Sequence, residues 1–272
     1  MDLRYSEAKE SLQESLRLAR QQRVRWYEAW AGQFLGKLAH EQGAYNQAQQ
    51  YLREGLAILR QLGDPDMTAI TLGFFGRTMQ ILGEYRQAEK LLRESLELAQ
   101  EIDYRWARAL ALDGLGQGAY AQERYEDARA FFSESAELFR EVGDIHRLSR
   151  TLNHQGLNSL ALSDTADAQN AFRTALRMAY EGGFVPSALN ALTGLAALGT
   201  RQKPSQGTLE LVLYILEHLA STQETKNLAA RLWVELESRF SQEEIEAARK
   251  RAGSVGLDEL VRQFLADEGQ AS

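Results

Sequence analysis

Four histidines, thirty-eight acidic residues and one glycine run are the groups with which this 272-residue chain could do chemistry. The histidines are His40, His146, His154 and His218. Only His146 and His154 share a helical segment, and eight residues of helix separate them by roughly 12 Å, too far for one metal ion. No carboxylate follows either of them at i+4. Gly114-Leu115-Gly116-Gln117-Gly118 has the composition of a phosphate loop. It lacks a preceding strand and a following Lys-Ser/Thr, and it falls in mid-helix by the internal repeat, whereas phosphate loops need N–H groups free at a helix start. Glu14, Glu54, Glu94 and Glu134 recur every forty residues. A catalytic pair would not be copied into each repeat, so they read as a solvated helix face with modest i,i+4 pairs. There is no cysteine, which excludes disulfides, thiolate ligands and a thiol nucleophile. No nucleophile elbow is present. The expectation is a chain with no catalytic residues, no metal site and no cofactor.

What would position any functional side chain is the forty-residue frame itself. Gly116, Tyr125 and Ala128 recur as Gly36, Tyr45 and Ala48, as Gly76, Tyr85 and Ala88, and as Gly156, Thr165 and Ala168; Tyr5 and Ala8 keep part of it. After each tyrosine a stripe at i, i+4, i+8 and i+11 predicts a helix, as in Ala128, Phe132, Ala136 and Phe139. Ser15, Gly55, Ser95, Ser135 and Ala175 leave room beside it for another helix. The segment before each tyrosine is also helical, with Leu72, Leu112, Leu152 and Leu192 four residues ahead of a small residue. Glycine inside a helix costs about 1 kcal/mol relative to alanine, so its repetition implies close packing by the following helix. Each unit is therefore an antiparallel hairpin. Gly63, Gly143 and Gly183, with Asp103 at the equivalent joint, are placed to end the second helices, and Asp64, Asp66 and Asp144 to cap the next ones.

The frame spans residues 1–203, in units of about 1–22, 23–63, 64–103, 104–143, 144–183 and 184–203. The chain opens on a second-type helix, Tyr5–Gln22, without its first-type partner, which predicts a longer polypeptide cut inside the array. The fourth copy is more polar, with Gln155, Asn158, Ser159 and Thr165, and reads as a loosely packed repeat rather than a polar contact or hinge. Residues 204–272 follow a Lys203-Pro204-Ser205 joint and predict four helices, worn repeats serving as a cap. Leu209, Val212, Ile215, Leu216 and Leu219 form one stripe; Ser221/Glu224 and Ser241/Glu244 read as capping boxes. The last helix carries Leu257, Leu260, Val261, Phe264 and Leu265.

The pattern over about residues 1–200 resembles the tetratricopeptide repeat, with Gly76 and Ala88 at that motif's eighth and twentieth positions and Leu92, Phe132 and Phe172 at its following large position. The period is forty rather than about 34, leucine replaces the usual tryptophan, and the terminal proline is missing. The tail ETKNLAARLWVELESRFSQEEIEAARKRAGSVGLDELVRQFLA is similar to the region following such arrays in bacterial STAND (NB-ARC- and LuxR-type) signal-transduction ATPases. The resemblance implies an all-α, right-handed solenoid of antiparallel hairpins with a helical C-terminal cap. It implies a non-catalytic sensor domain of a larger regulator, recognising a peptide, protein or small effector in a concave groove lined by first helices. The alternative is a constitutive protein–protein assembly scaffold.

Positions that differ between copies on that face are the binding candidates. They are Trp30, Gln33, Lys37, Arg77, Gln80, Asp113, Gln117, Tyr120, Arg150 and Asn153, flanked by Trp26, His40, Ile70, Trp106, Leu110, His146, Leu157, Asn190 and Thr193. Aromatics interleaved with Arg, Lys and amides suit recognition. Joint charge reversal of Arg77 and Arg150 is expected to abolish capture without changing melting. A net charge of −7 argues against direct nucleic-acid binding, and no apolar run is long enough to cross a bilayer. A protein or peptide ligand, upstream domains of the same polypeptide and a cytoplasmic setting are the expectation.

Overall fold

Each residue that opens a second-type segment is the first residue of a helix: Tyr45, Tyr85, Tyr125 and Thr165. The structure, a computed structural model, describes residues 3–266, with side chains from Ser6 onward, so the side chain of Tyr5 lies outside the described residues. Its helices are α1 Leu3–Gln22, α2 Arg25–Glu41, α3 Tyr45–Leu62, α4 Pro65–Ile81, α5 Tyr85–Glu101, α6 Arg105–Ala121 and α7 Tyr125–Glu141. The second half has α8 Ile145–Ala161, α9 Thr165–Glu181, α10 Val185–Gln202, α11 Gln206–Glu217, α12 Gln223–Glu237, α13 Gln242–Ala252 and α14 Leu257–Ala266. No strand occurs among the described residues. Two compact units result, Met1–Gly143 and Asp144–Ser272.

Hairpins α2–α3, α4–α5, α6–α7 and α8–α9 are the most extensively packed pairs, and the glycine frame shows why. A Cβ placed on Gly36, Gly76, Gly116 or Gly156 would stand 2.6, 2.6, 2.6 or 2.4 Å from Leu52, Leu92, Phe132 or Phe172. The small residues of the second helices do more than leave space. Ser95 Oγ donates to the Ala69 carbonyl at 2.7 Å and Ser135 Oγ to the Ala109 carbonyl at 2.9 Å, the same bond one repeat apart. In Gly114-Leu115-Gly116-Gln117-Gly118, inside α6, Gly116 admits Phe132, while Gly114 and Gly118 admit Leu92 and Gln80 of the preceding hairpin. The run is a packing surface.

The turns follow a stricter rule than glycine alone reveals. Residues 23, 43, 63, 83, 103, 123, 143, 163 and 183, one every twenty, all have positive φ. Five are glycine; Arg23, Asp103, Glu123 and Ser163 hold the same left-handed conformation at φ 52–65°. An L side chain there costs roughly 1–2 kcal/mol, of which glycine returns part as unfolded-state entropy. Glu123→Gly should stabilise the protein by about 0.5–1 kcal/mol in urea denaturation; an unchanged or lower midpoint would refute this account of the turn.

Several local expectations are corrected. Asp64 and Asp144 cap α4 and α8, accepting from Met67 N and Arg147 N, but Asp66 sits inside the first turn of α4. Asp164 and Ser205 are additional caps. Ser241 and Glu244 form the expected capping box, which holds the Glu244 carboxyl below its ordinary pKa through the Ser241 N–H. Ser221 caps nothing: Thr222 caps α12, while Ser221 Oγ donates to the Ile215 carbonyl at 2.6 Å. Helix α11 ends at Glu217, leaving Leu219 beyond it and 90% exposed. Glu54, Glu94 and Glu134 pair with Arg20, Arg60 and Arg108 on other helices, and Glu14 with Arg17 three residues on; Glu54 also makes an i,i+4 contact, accepting from Gln50 Nε2 at 3.0 Å. These exposed pairs contribute about 0–1 kcal/mol each.

In the second unit α8 is well packed and polar. Leu148, Leu152, Asn153, His154 and Asn158 are buried, whereas Gln155 and Ser159 are half-buried and Thr165 is exposed. Beyond α10 the pairing changes: α11 packs on both α12 and α13, which share no extensive packing with each other. Helix α14 returns to α9, where Tyr180 donates to Asp258 at 3.0 Å, a bond that raises the phenol pKa.

Candidate binding surface

The first-type helices bring the candidate residues onto one face within each unit, and many then reach sideways to the neighbouring helix. In unit Met1–Gly143, Trp30 lies half-buried against the Leu16–Ala31–Leu35 cluster, its ring 4.6 Å from Phe34. Gln33 is buried, and its Oε1 has no hydrogen-bond partner. Lys37 places Nζ 5.9 Å from the centre of the Phe74 ring on α4, a cation–π contact. Arg77 is only 6% exposed and lies against Gly114 of α6. Gln80 Nε2 donates to the Gly114 carbonyl at 2.7 Å. Asp113 is buried and accepts from Gln117 Nε2 at 2.7 Å one turn later. Tyr120 is half-buried, edge-on to Tyr125. The flanking tryptophans mainly pack: Trp26 Nε1 donates to the α4 cap Asp64 at 2.8 Å, and Trp106 lies against Ala69, Ala99 and Ala107.

In unit Asp144–Ser272 the same face of α8 is a polar seam. Arg150 donates to Glu224 Oε2 at 3.3 Å, and His154 Nε2 lies 3.8 Å from Glu224 Oε1. Asn153 Nδ2 donates to Asn190 Oδ1 at 2.5 Å, and Asn190 donates on to Thr225. Sequence reasoning missed Glu224 and Thr225, because α12 lies outside the repeat frame and Glu224 matched a capping box. It also missed Phe74, whose partner Lys37 is on another helix. Half-exposed Trp30, Lys37, Gln80, Gln117, Tyr120 and Arg150 remain on the surface; Gln33, Arg77, Asp113 and Asn153 are interior. The half-exposed residues are an amine, two amides, a phenol and an indole in the first unit and a guanidinium in the second.

Consecutive helical hairpins that bury one repeated stripe define an α-solenoid, a class of binding scaffold. The tetratricopeptide repeat model matches residues 27–101 and 107–181, more than half of the chain. The chain belongs to the tetratricopeptide repeat family, whose fold is generally a non-catalytic scaffold for protein interaction.

Solved structures with similar folds include BtubC (BKLC) from P. vanneervenii, with 16% identity, TM-score 0.53, and coverage of 98% of this chain and 92% of that one. Another is the signal-transduction ATPase with numerous domains carrying a tetratricopeptide repeat sensor, from Pyrococcus horikoshii. It has 14% identity and TM-score 0.54, with 89% of this chain matched to 35% of that one. A putative kinesin light chain repeat protein from Podosopora anserina gives 13% identity, TM-score 0.52, and coverage of 75% and 95%. No curated protein matches the chain at a significant level. Among the described residues no helix is long and apolar enough to cross a membrane.

Proposed function

We propose that this chain is the sensor of a larger signal-transduction ATPase, capturing a protein or peptide on the variable face of its first-type helices. The observation that supports the reading is the disagreement between copies at two register positions of the first-type helices. Residues 30, 70, 110 and 150 are Trp, Ile, Leu and Arg, and residues 37, 77, 117 and 157 are Lys, Arg, Gln and Leu, all half-buried except the buried Leu110 and Arg77, while the packing positions beside them are repeated. A fold kept constant around varied positions is suited to recognition; the half-exposed Tyr120 supplies the aromatic surface that interfaces favour, and the half-exposed Lys37 a positive charge that can steer a partner. The fold shared with a repeat sensor in a STAND ATPase supports the placement in such a regulator.

Arg77 is interior, so reversing its charge would report on stability as well as binding. The sharper test is Lys37→Glu with Tyr120→Ala, against Glu97→Lys on an exposed second-type face as control. Capture of the partner that the wild-type chain retains should fall about thirtyfold, the equivalent of about 2 kcal/mol for lost hot spots, with helical content kept. Equal capture by both variants would remove the binding assignment. The regulatory part is read from the coding sequence ahead of residue 1: a P-loop there supports it, and its absence sinks it.

A further inference from the structure

We infer that Arg150 and His154 on α8 form a seat for an acidic side chain of a partner polypeptide. Glu224 of α12 holds that seat in cis, as a built-in competitor that the partner displaces. The inference rests on the reading of the first-type helices as the binding face, and it adds a ligand chemistry and a gate within unit Asp144–Ser272. Helix α8 carries His146, Arg147, Arg150 and His154 and no carboxylate. Arg150 stands at a varied register position and is half-exposed. The acid that faces it comes from outside the repeated frame. Arg150 donates to Glu224 Oε2 at 3.3 Å, and Glu224 Oε1 lies 3.8 Å from His154 Nε2. One carboxylate thus spans two basic side chains that the helix sets one turn apart, as an incoming Asp or Glu would.

The contact is exchangeable. Helix α12 packs on α10 and α11 and not extensively on α8, so its hold on α8 is made by side chains. Its apolar face, Ala229, Leu232 and Leu236, is buried further along, which keeps the helix seated when Glu224 lets go. Thr222 caps α12, and Ser221 Oγ ties the preceding turn to the Ile215 carbonyl; neither bond involves Glu224. The side chains of Arg150 and Glu224 are 22% and 38% exposed, so water and salt reach the pair and weaken it. A tethered carboxylate at millimolar effective concentration, on a seat with an intrinsic Kd of about 0.1 mM, holds it about nine-tenths of the time. The apparent Kd for a competing acid is then about tenfold weaker than the intrinsic one.

The test titrates the full chain, by NMR, with the peptide Ser-Thr-Gln-Glu-Thr-Lys-Asn, the sequence of residues 221–227. Glu224→Ala should bind this peptide about tenfold more tightly than the wild-type chain, with helical content unchanged. Glu224→Gln, which keeps the side chain's length and loses its charge, should show part of that gain. Adding Arg150→Gln to Glu224→Ala should abolish it, and so should glutamine in place of the peptide's glutamate. Equal binding by the wild-type chain and both Glu224 variants overturns the proposal. So does a gain that survives Arg150→Gln, or one matched by Glu237→Ala, which removes a charge at the far end of α12. The Lys37 and Tyr120 test uses a retained partner and residues of unit Met1–Gly143, so failure of the one reading is distinguishable from failure of the other.

Discussion

Phe172→Ala should cost about 3–5 kcal/mol, the range for deleting a fully buried aromatic ring. Its ring has no exposed surface and presses on two helices at once. A Cβ on Gly156 of α8 would stand 2.4 Å from it, and one on Gly194 of α10 would stand 2.3 Å away. The ring therefore fills space left by two glycines in successive first-type helices. Removing it leaves a cavity that two backbones would have to close. In arrays of stacked repeats stability is a sum of local and nearest-neighbour terms, so the damage should stay local. Urea denaturation should show the loss, and hydrogen exchange should speed up in α8, α9 and α10 while α2 and α3 keep their protection. A loss below about 1 kcal/mol would mean that the ring is not the wedge it is taken to be.

Gly116→Ala should destabilise the protein by up to about 2 kcal/mol, although alanine is the better helix former by about 1 kcal/mol. The added carbon would stand 2.6 Å from two atoms of the Phe132 ring, which is itself buried and has no free direction to retreat. Overpacking of a filled core costs about 1–3 kcal/mol, and it outweighs propensity here. With Phe132→Ala the obstruction is gone, and the same Gly116→Ala should then stabilise by about 1 kcal/mol. A double-mutant cycle reads the change of sign directly. Stabilisation by Gly116→Ala in the wild-type background would show that glycine is tolerated there and not required.

The hairpin fold was legible because the chain writes the same packing several times. One glycine in a helix is ambiguous, but Gly36, Gly76, Gly116 and Gly156, each twelve residues ahead of a buried alanine, leave one explanation. Helix ends were less legible where two readings fit the same residues. Ser221 and Thr222 are both acceptable caps, and the choice fell to Thr222 because Ser221 is committed to the Ile215 carbonyl, six residues back. Leu219 continued an apolar period that the backbone abandons at His218, whose Nδ1 accepts from Ala220 N.

On the binding face the helical position of each residue was legible, but the reach of its side chain was not. Variation between copies marks Gln80 as free of the packing code, yet the glycine at 118 lets it cross to the next helix and donate to the Gly114 carbonyl. Arg150 and Glu224 are 74 residues apart, with one partner outside the repeated frame. Such pairings depend on two distant residues jointly, and periodicity carries no information about them.

The left-handed residues at twenty-residue intervals also govern how the chain length can change. Each marks a reversal of direction, and alternate segments between them carry different faces: glycine-bearing in one, alanine-led in the next. Deleting twenty residues would bring two like segments together, glycine against glycine or alanine against alanine, with no side chain to fill the gap. Deleting or duplicating forty restores the alternation at the new junction. The tolerated length change is thus quantised, and its quantum is two reversals of the backbone rather than one helix.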